Sequence, residues 1–142
     1  MKKIIFISLF LLSACQQTPD ETRLNGRWYT ASQLQLGEKI YRANCIVCHK
    51  ENATGTRQWK KTLADGNYPP PPLNGSAHAW HHPLSTLSRS IKNGGIPLGG
   101  TMPAFKDKLS DKEVLAVIAY LQSFWSDRIY QDWKSRDGVD MF

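Results

Sequence analysis

The chain of 142 residues has no long hydrophobic run, no block of like charge and few sulfur-bearing residues. Its longest apolar stretch, residues 4–12, is nine residues long and is interrupted by Ser8. A membrane-spanning helix needs about twenty, so none is expected. Lys and Arg number 18 against 12 Asp and Glu, a formal excess of +6. That excess is scattered, so no nucleic-acid partner is expected. No stretch of useful length alternates apolar and polar residues as a strand does, and no internal repeat is visible. Cysteine occurs three times, with no second C-x-x-C pair. Against these absences, 41% hydrophobic and 11% aromatic residues are too rich for a disordered chain.

The amino terminus has the layout of an export signal. Lys2 and Lys3 precede the short apolar stretch, and Leu12-Ser13-Ala14-Cys15 follows it. The last four residues resemble the bacterial lipobox, in which the cysteine becomes the new amino terminus and carries lipid. Residues 1–14 are therefore expected to be removed and Cys15 to be lipidated, with two or three acyl chains anchoring stably where one holds weakly. The ordinary alternative is a signal peptide with an incidental cysteine. Gln16 after the cysteine leans towards an outer-membrane destination. Residues 15–32 are mostly polar and read as a flexible tether.

Helical patterns then alternate with long loops. Ser32 is expected to cap a helix running to Ile46, with Leu36, Ile40 and Tyr41 on one side. Residues 50–75 are broken by Gly55, Gly66, Asn67 and four consecutive prolines, Pro69 to Pro72. A short helix is predicted over residues 83–93, stopped by Gly94-Gly95. Ser110 and Glu113, three apart, form a capping box for a further helix. Val114, Val117, Ile118, Leu121 and Trp125 lie on its apolar side. The fold class is all-α, with three to four helices and long loops. Loops of such length are uncommon unless something organises them, and a bound prosthetic group could supply the missing core.

Cys45-Ile46-Val47-Cys48-His49 is the C-x-x-C-H pattern of covalent c-type haem attachment. Cysteines three apart on a helical turn present both sulfurs on one side, where each can form a thioether with a haem vinyl group. His49 then brings its imidazole to the iron. A zinc site would need further ligands, for which His78, His81 and His82 are the candidates. A thioredoxin-like pair lacks its βαβ setting, and a Cys45–Cys48 disulfide leaves His49 unexplained. The second axial ligand is expected downstream. Met1 is removed and Met141 lies at the end of the chain, which leaves Met102, in the loop Gly100-Thr101-Met102-Pro103-Ala104-Phe105.

With these motifs in place the chain resembles the class I, mitochondrial-type cytochromes c over residues 33–125. Gly37 and Tyr41, eight and four residues before Cys45, match the family's glycine and aromatic on the first helix. Val117-Ile118-Ala119-Tyr120-Leu121 matches the last helix against which they pack. Pro71-x-Leu73-x-Gly75 matches the segment whose proline carbonyl accepts the histidine's other N–H; Pro70 and Pro72 are alternatives. The resemblance implies one haem c bound through Cys45 and Cys48 within a pocket that includes Pro71 and Leu73, with His49 and Met102 on the iron.

Other residues carry weaker signals. His78, His81 and His82 read first as a loop with exposed imidazoles, and secondly as a copper site or a replacement for Met102. Trp59 and Trp80 are candidates to pack on the porphyrin or to donate to a propionate. Lys50, Lys60, Lys61, Lys106 and Lys108 could steer an acidic redox partner. Residues 126–142 extend past the family's usual end, and Trp125, Ile129 and Trp133 read first as an extra helix packed on the domain and secondly as a docking surface for a partner. The expected function is electron transfer without catalysis. The protein would be a lipid-tethered, single-haem carrier in the bacterial envelope, facing the periplasm between a donor and an acceptor protein. The alternatives are an open-site haem protein, either peroxidase or gas sensor, and an accessory protein in copper handling.

Overall fold

The computed structural model describes residues 22–136. The signal segment, Cys15 and Met141 lie outside them. The described residues form five α-helices: α1 (Ala31–Asn44), α2 (Ile46–His49), α3 (Leu84–Asn93), α4 (Asp111–Ser123) and α5 (Asp127–Lys134). Short 3-10 turns occur at Glu51–Ala53, Ala79–His81 and Ile96–Leu98. Among the described residues the only β pairing is two isolated bridges, Arg23 with Thr30 and Tyr68 with Gly100. The fold is all-α, as the sequence implies. No described helix is long and apolar enough to cross a membrane.

The crossing of α1 and α4 is the framework. A Cβ on Gly37 would be driven into the Ala116 carbonyl, so only glycine lets the two backbones approach this closely. Tyr41 and Tyr120 fill the crossing, with ring centroids 5.2 Å apart. Val114, Val117, Ile118 and Ala119 turn the buried side of α4 inward. Its start is the expected capping box: Glu113 N–H donates to the Ser110 hydroxyl, and Ser110 N–H donates to the Glu113 carboxylate. Gly94, at φ 75°, stops α3 as expected.

Three details differ from the sequence reading. Thr30, not Ser32, caps α1, because Thr30 and Gln33 form a reciprocal pair. The helix ends at Asn44, and Cys45 turns the chain into the separate short helix α2. Within the stretch 15–32 expected as a tether, residues 23–30 form a strap closed by Leu24 N–H on the Tyr29 carbonyl, and Ala31 and Ser32 already belong to α1. Trp28 and Tyr29 are 7% and 2% exposed. Burying two large aromatic side chains outweighs the ordering cost of a short polar segment.

The strap and α5 brace each other. The Tyr130 hydroxyl accepts from Trp28 N–H at 2.8 Å. Arg27 pairs with Asp127 at 2.7 Å and lies 4.0 Å over the Tyr130 ring. Trp125 and Trp133 meet edge to face at 5.9 Å, and the Trp133 indole donates to the His82 carbonyl at 2.8 Å. The extra helix therefore packs on the domain, with Tyr130 and Trp133 each 1% exposed.

Two substitutions test this framework. Gly37→Ala overpacks the α1–α4 crossing and is expected to cost about 1–3 kcal/mol, measured by denaturant unfolding. Trp133→Ala is expected to cost about 3–5 kcal/mol, which a lowered thermal midpoint will show.

Candidate haem site

The C-x-x-C-H run sits where α1 gives way to α2. His49 is buried at 7% exposure, Cys45 is half-buried and Cys48 is exposed. Both thiols are free. Burial pushes the Cys45 thiol up to about 11, with the neighbouring Cys48 adding to the shift and Lys108 opposing it. Cys45 is therefore a neutral thiol at ordinary pH.

His49 Nδ1 lies 3.2 Å from the Pro71 carbonyl oxygen. A carbonyl only accepts, so Nδ1 carries the proton and Nε2 keeps its lone pair for a metal. Burial holds the imidazole below its usual value, against the opposing effect of the Pro71 bond. A neutral imidazole with a fixed tautomer is the form that binds iron. Of the three prolines considered, Pro71 is the one whose carbonyl His49 meets.

The loop after His49 exists to place that carbonyl. Lys50, Asn52 and Ala53 all have positive φ, between 53° and 65°, a conformation costly for residues other than glycine. The strained turn is held by Tyr41, whose hydroxyl donates to the Lys50 carbonyl at 2.7 Å. Gly55 N–H donates to the His49 carbonyl, Thr56 N–H to Pro70 and Leu73 N–H to Ala53, each at 2.8 Å. Gly55 has φ 55°, and a Cβ there would run into the Pro71 carbonyl group.

His49, Pro71 and Leu73 share a crevice of about 350 Å³ with Met102. Ile91, Ile118, Leu121 and Trp125 line the same space. Met102 is held at the end of α3, where Gly95 N–H donates to its carbonyl at 2.9 Å. Gly94 has no Cβ to obstruct this turn, since one would sit 2.6 Å from the Met102 carbonyl oxygen. A flat apolar macrocycle suits such walls. One buried polar atom among them is unsatisfied: Gln122 Nε2 has no hydrogen-bond partner.

The histidine trio is divided. His78 and His82 line the crevice, with ring centroids 5.4 Å apart. His81 instead stacks on Trp80 at 3.9 Å and meets Arg136 at 3.4 Å. Among the described residues no three His, Cys, Asp or Glu side chains are placed to hold a metal ion. The copper site considered on His78, His81 and His82 is thus not formed. Desolvation, then the neighbouring His82, His81 and Lys60, holds His78 below its usual value.

Trp59 and Trp80 do not line the crevice. Trp59 stacks on His78 at 4.8 Å, and Trp80 lies under the Arg136 guanidinium at 4.8 Å. The tryptophan in the crevice wall is Trp125, whose indole donates to the Leu73 carbonyl at 2.9 Å. Trp125 has an apolar helix-face signal in the sequence; Gln122 has none, since a polar residue near a helix end is ordinarily exposed. Lys50, Lys60, Lys61, Lys106 and Lys108 are all exposed.

The profile of a protein family described as cytochrome c oxidase, cbb3-type, subunit III matches residues 32–121. The chain belongs to that family of cytochrome c domains. It is similar to a cbb3-type cytochrome c oxidase subunit CcoP of Azospirillum brasilense, 32% identical over 101 residues, covering 70% of this chain and 31% of the relative. It is also similar to the cytochrome c subunit of a quinone alcohol dehydrogenase of Gluconobacter oxydans, 29% identical over 102 residues, covering 67% and 19%. A cytochrome c6 of Bryopsis maxima is 27% identical over 90 residues, with 62% of this chain and 88% of the relative covered. The chain thus spans about a fifth to a third of the oxidase and dehydrogenase subunits. No solved structure matches it. The monohaem cytochrome c family brings haem c with it, and the C-x-x-C-H run and apolar crevice fit that group.

Gly55→Ala is expected to lose about 1–3 kcal/mol of stability, from positive φ and from overpacking against Pro71. Amide and imidazole hydrogen exchange will show the same loss locally, with the His49 Nδ1–H exchanging faster than in the wild type.

Proposed function

We propose that this cytochrome c domain is a membrane-tethered, single-electron carrier, with haem bound covalently through Cys45 and Cys48 and the iron ligated by His49 and Met102. The observation that carries the reading is the crevice itself. A buried histidine with a free Nε2 and a loop methionine line one apolar cavity beside a C-x-x-C-H helix.

When bound, haem supplies a one-electron ferrous–ferric couple. The chain's own residues do the rest. Cys45 and Cys48 fix the group in place, while Pro71 fixes the rotation and tautomer of His49 through Nδ1. Met102, anchored to Gly95 N–H, offers a soft thioether that favours the ferrous state. Ile91, Leu121 and Trp125 keep water from the crevice, which disfavours the extra charge of the ferric state. With His49 and Met102 both holding the iron, no place would be left for oxygen or peroxide, so the role would be carriage rather than catalysis.

Partners are inferred from the relatives, whose names place them as subunits of oxidase and dehydrogenase complexes. An envelope donor and acceptor of that kind suit this chain. The exposed lysines suit an acidic docking face. The Lys2-Lys3 start and Leu12-Ser13-Ala14-Cys15 support export to the periplasmic side with a lipid anchor on Cys15. Such an anchor would confine the carrier near membrane partners and raise its effective concentration there.

The reading is tested by expression of the full chain with haem-maturation machinery. Intact mass is expected to show one covalent haem, lost in a Cys45→Ala/Cys48→Ala double variant. A redox titration is expected to follow a single one-electron curve. Met102→Ala is expected to abolish the weak far-red ferric sulfur–iron band and to lower the midpoint potential. Cys15→Ala is expected to move the protein from the membrane to the soluble fraction. A wild-type protein without covalent haem contradicts the central reading, and an unchanged ferric spectrum in Met102→Ala contradicts the ligand assignment.

A further inference from the structure

We propose that the His78 imidazole donates a hydrogen bond to a carboxylate of the bound haem, and that Trp59 holds the ring in place for that contact. The inference deepens the haem reading and rests on it. His78 stands at a junction, since it lines both the crevice and a neighbouring hollow of about 570 Å³. Pro71, Gly95 and Leu98 border the same two spaces, so the crevice opens past His78 into this hollow. Trp59, Lys60 and Thr101 line its farther side.

Most polar groups of the crevice wall are committed elsewhere. His49 Nδ1 meets the Pro71 carbonyl, and the Trp125 indole donates to the Leu73 carbonyl. The Gln122 amide is fully buried against the Trp28 indole. On α3 the Thr86 hydroxyl accepts from Arg89, and the Ser90 hydroxyl donates to the Thr86 carbonyl. The rings of His78 and His82 make aromatic contacts, and neither forms a hydrogen bond with a described residue. A neutral imidazole always carries one N–H, and His78, exposed at the junction, can present it to a group in the crevice. His82 lines the crevice alone, which leaves His78 as the imidazole at the opening.

The chemistry of the acceptor follows from what haem offers. Its pyrrole nitrogens are engaged by iron and its rim is hydrocarbon, apart from two carboxylates. With the vinyl groups tied to Cys45 and Cys48, the carboxylates lie on the edge turned away from the thioethers. A carboxylate is a strong partner for an N–H donor. The opening also has the matching charge. Besides desolvation, the groups that act on His78 are His82, His81 and Lys60, all of them basic. An anion seated there balances a one-sided field.

Trp59 is a positioning residue in this scheme. Its ring stacks on His78 with centroids 4.8 Å apart and planes 21° from parallel, while His82 meets the same imidazole edge to face at 5.4 Å. Between them the His78 ring keeps one plane, which sets the direction of its N–H. Lys60 Nζ lies 5.2 Å from the Trp59 ring centroid and brings a positive charge to the same hollow. A donor on the carboxylate draws its negative charge away from the iron. Without it, the full charge stabilises ferric iron and the midpoint falls.

The test uses the full holoprotein as wild type, His78→Phe and Trp59→Phe, each first checked by mass for one covalent haem. Phenylalanine keeps an aromatic ring in the stack and removes the N–H. Midpoints are taken at about pH 8.5, above the ordinary imidazole range, so that no imidazole charge enters. The propionate bending band is read by resonance Raman, since its frequency rises with hydrogen bonding. His78→Phe is expected to lower both the band and the midpoint, and Trp59→Phe to leave both at wild-type values. Band and midpoint equal to wild type in His78→Phe overturn the proposal. A band lowered as far in Trp59→Phe makes the indole the donor and also overturns it. The far-red ferric band is expected to persist in His78→Phe; a change there places His78 on the iron and overturns the carboxylate contact. If His78→Phe carries no haem, the wild type decides by NMR. A nuclear Overhauser contact between the His78 ring and a propionate methylene supports the proposal, and its absence overturns it. Wild-type protein lacking covalent haem overturns the earlier reading instead, which mass alone distinguishes.

Discussion

The hydrogen bond from His49 Nδ1 to the Pro71 carbonyl spans 22 residues of sequence, and much of the irregular chain serves to make it. A proline carbonyl is a suitable acceptor because the ring stiffens the backbone that presents it. The opposing loop brings Ala53 and Gly55 beneath it, three residues with positive φ turn the chain sharply, and Tyr41 ties the turn back to α1. Remove the need to place that carbonyl and the strained turn has no evident purpose. Strain of this kind persists only where surrounding contacts over-determine it, and here they do.

Around that bond the molecule has two layers of support. The inner one is the α1–α4 crossing, in which Gly37 admits Ala116 and two tyrosines seal the gap. The outer one is the strap of residues 23–30 with α5, joined by Arg27, Asp127, Trp28 and Tyr130. This outer layer stands beyond the matched family region of residues 32–121. It adds buried aromatic area to a small domain whose own core is limited. It also covers the side of α4 that carries Gln122, which explains how a polar residue comes to be fully buried there.

Local rules were enough to read the parts of this fold that depend on neighbours in sequence. The Ser110–Glu113 box, the Gly94 stop and the apolar face of α4 are set within one or two turns. The C-x-x-C-H run is local too, and the crevice that gathers His49, Leu73 and Met102 agrees with its chemistry. Harder to read were features fixed by distant partners. Trp28 and Tyr29 sit among polar residues, and only their burial against α4 and α5 reveals a strap where a tether was expected. The histidine trio looks like one cluster in sequence, yet aromatic stacking and Arg136 send His81 away from His78 and His82. Trp59 and Trp80 are likewise claimed by stacking outside the crevice, and Trp125 takes the place beside Leu73.

The account turns on whether one flat ring lies in the crevice with His49 and Met102 on its iron. The proton NMR spectrum of the ferrous holoprotein tests this directly, because protons held over a porphyrin face are shifted far upfield by its ring current. The account predicts one methyl singlet and its accompanying methylene signals in that region, assigned to Met102 and absent in Met102→Ala. A diamagnetic spectrum without them would place an imidazole, such as that of His78 or His82, on the iron instead. A paramagnetic ferrous spectrum would show an open site and contradict the carrier role.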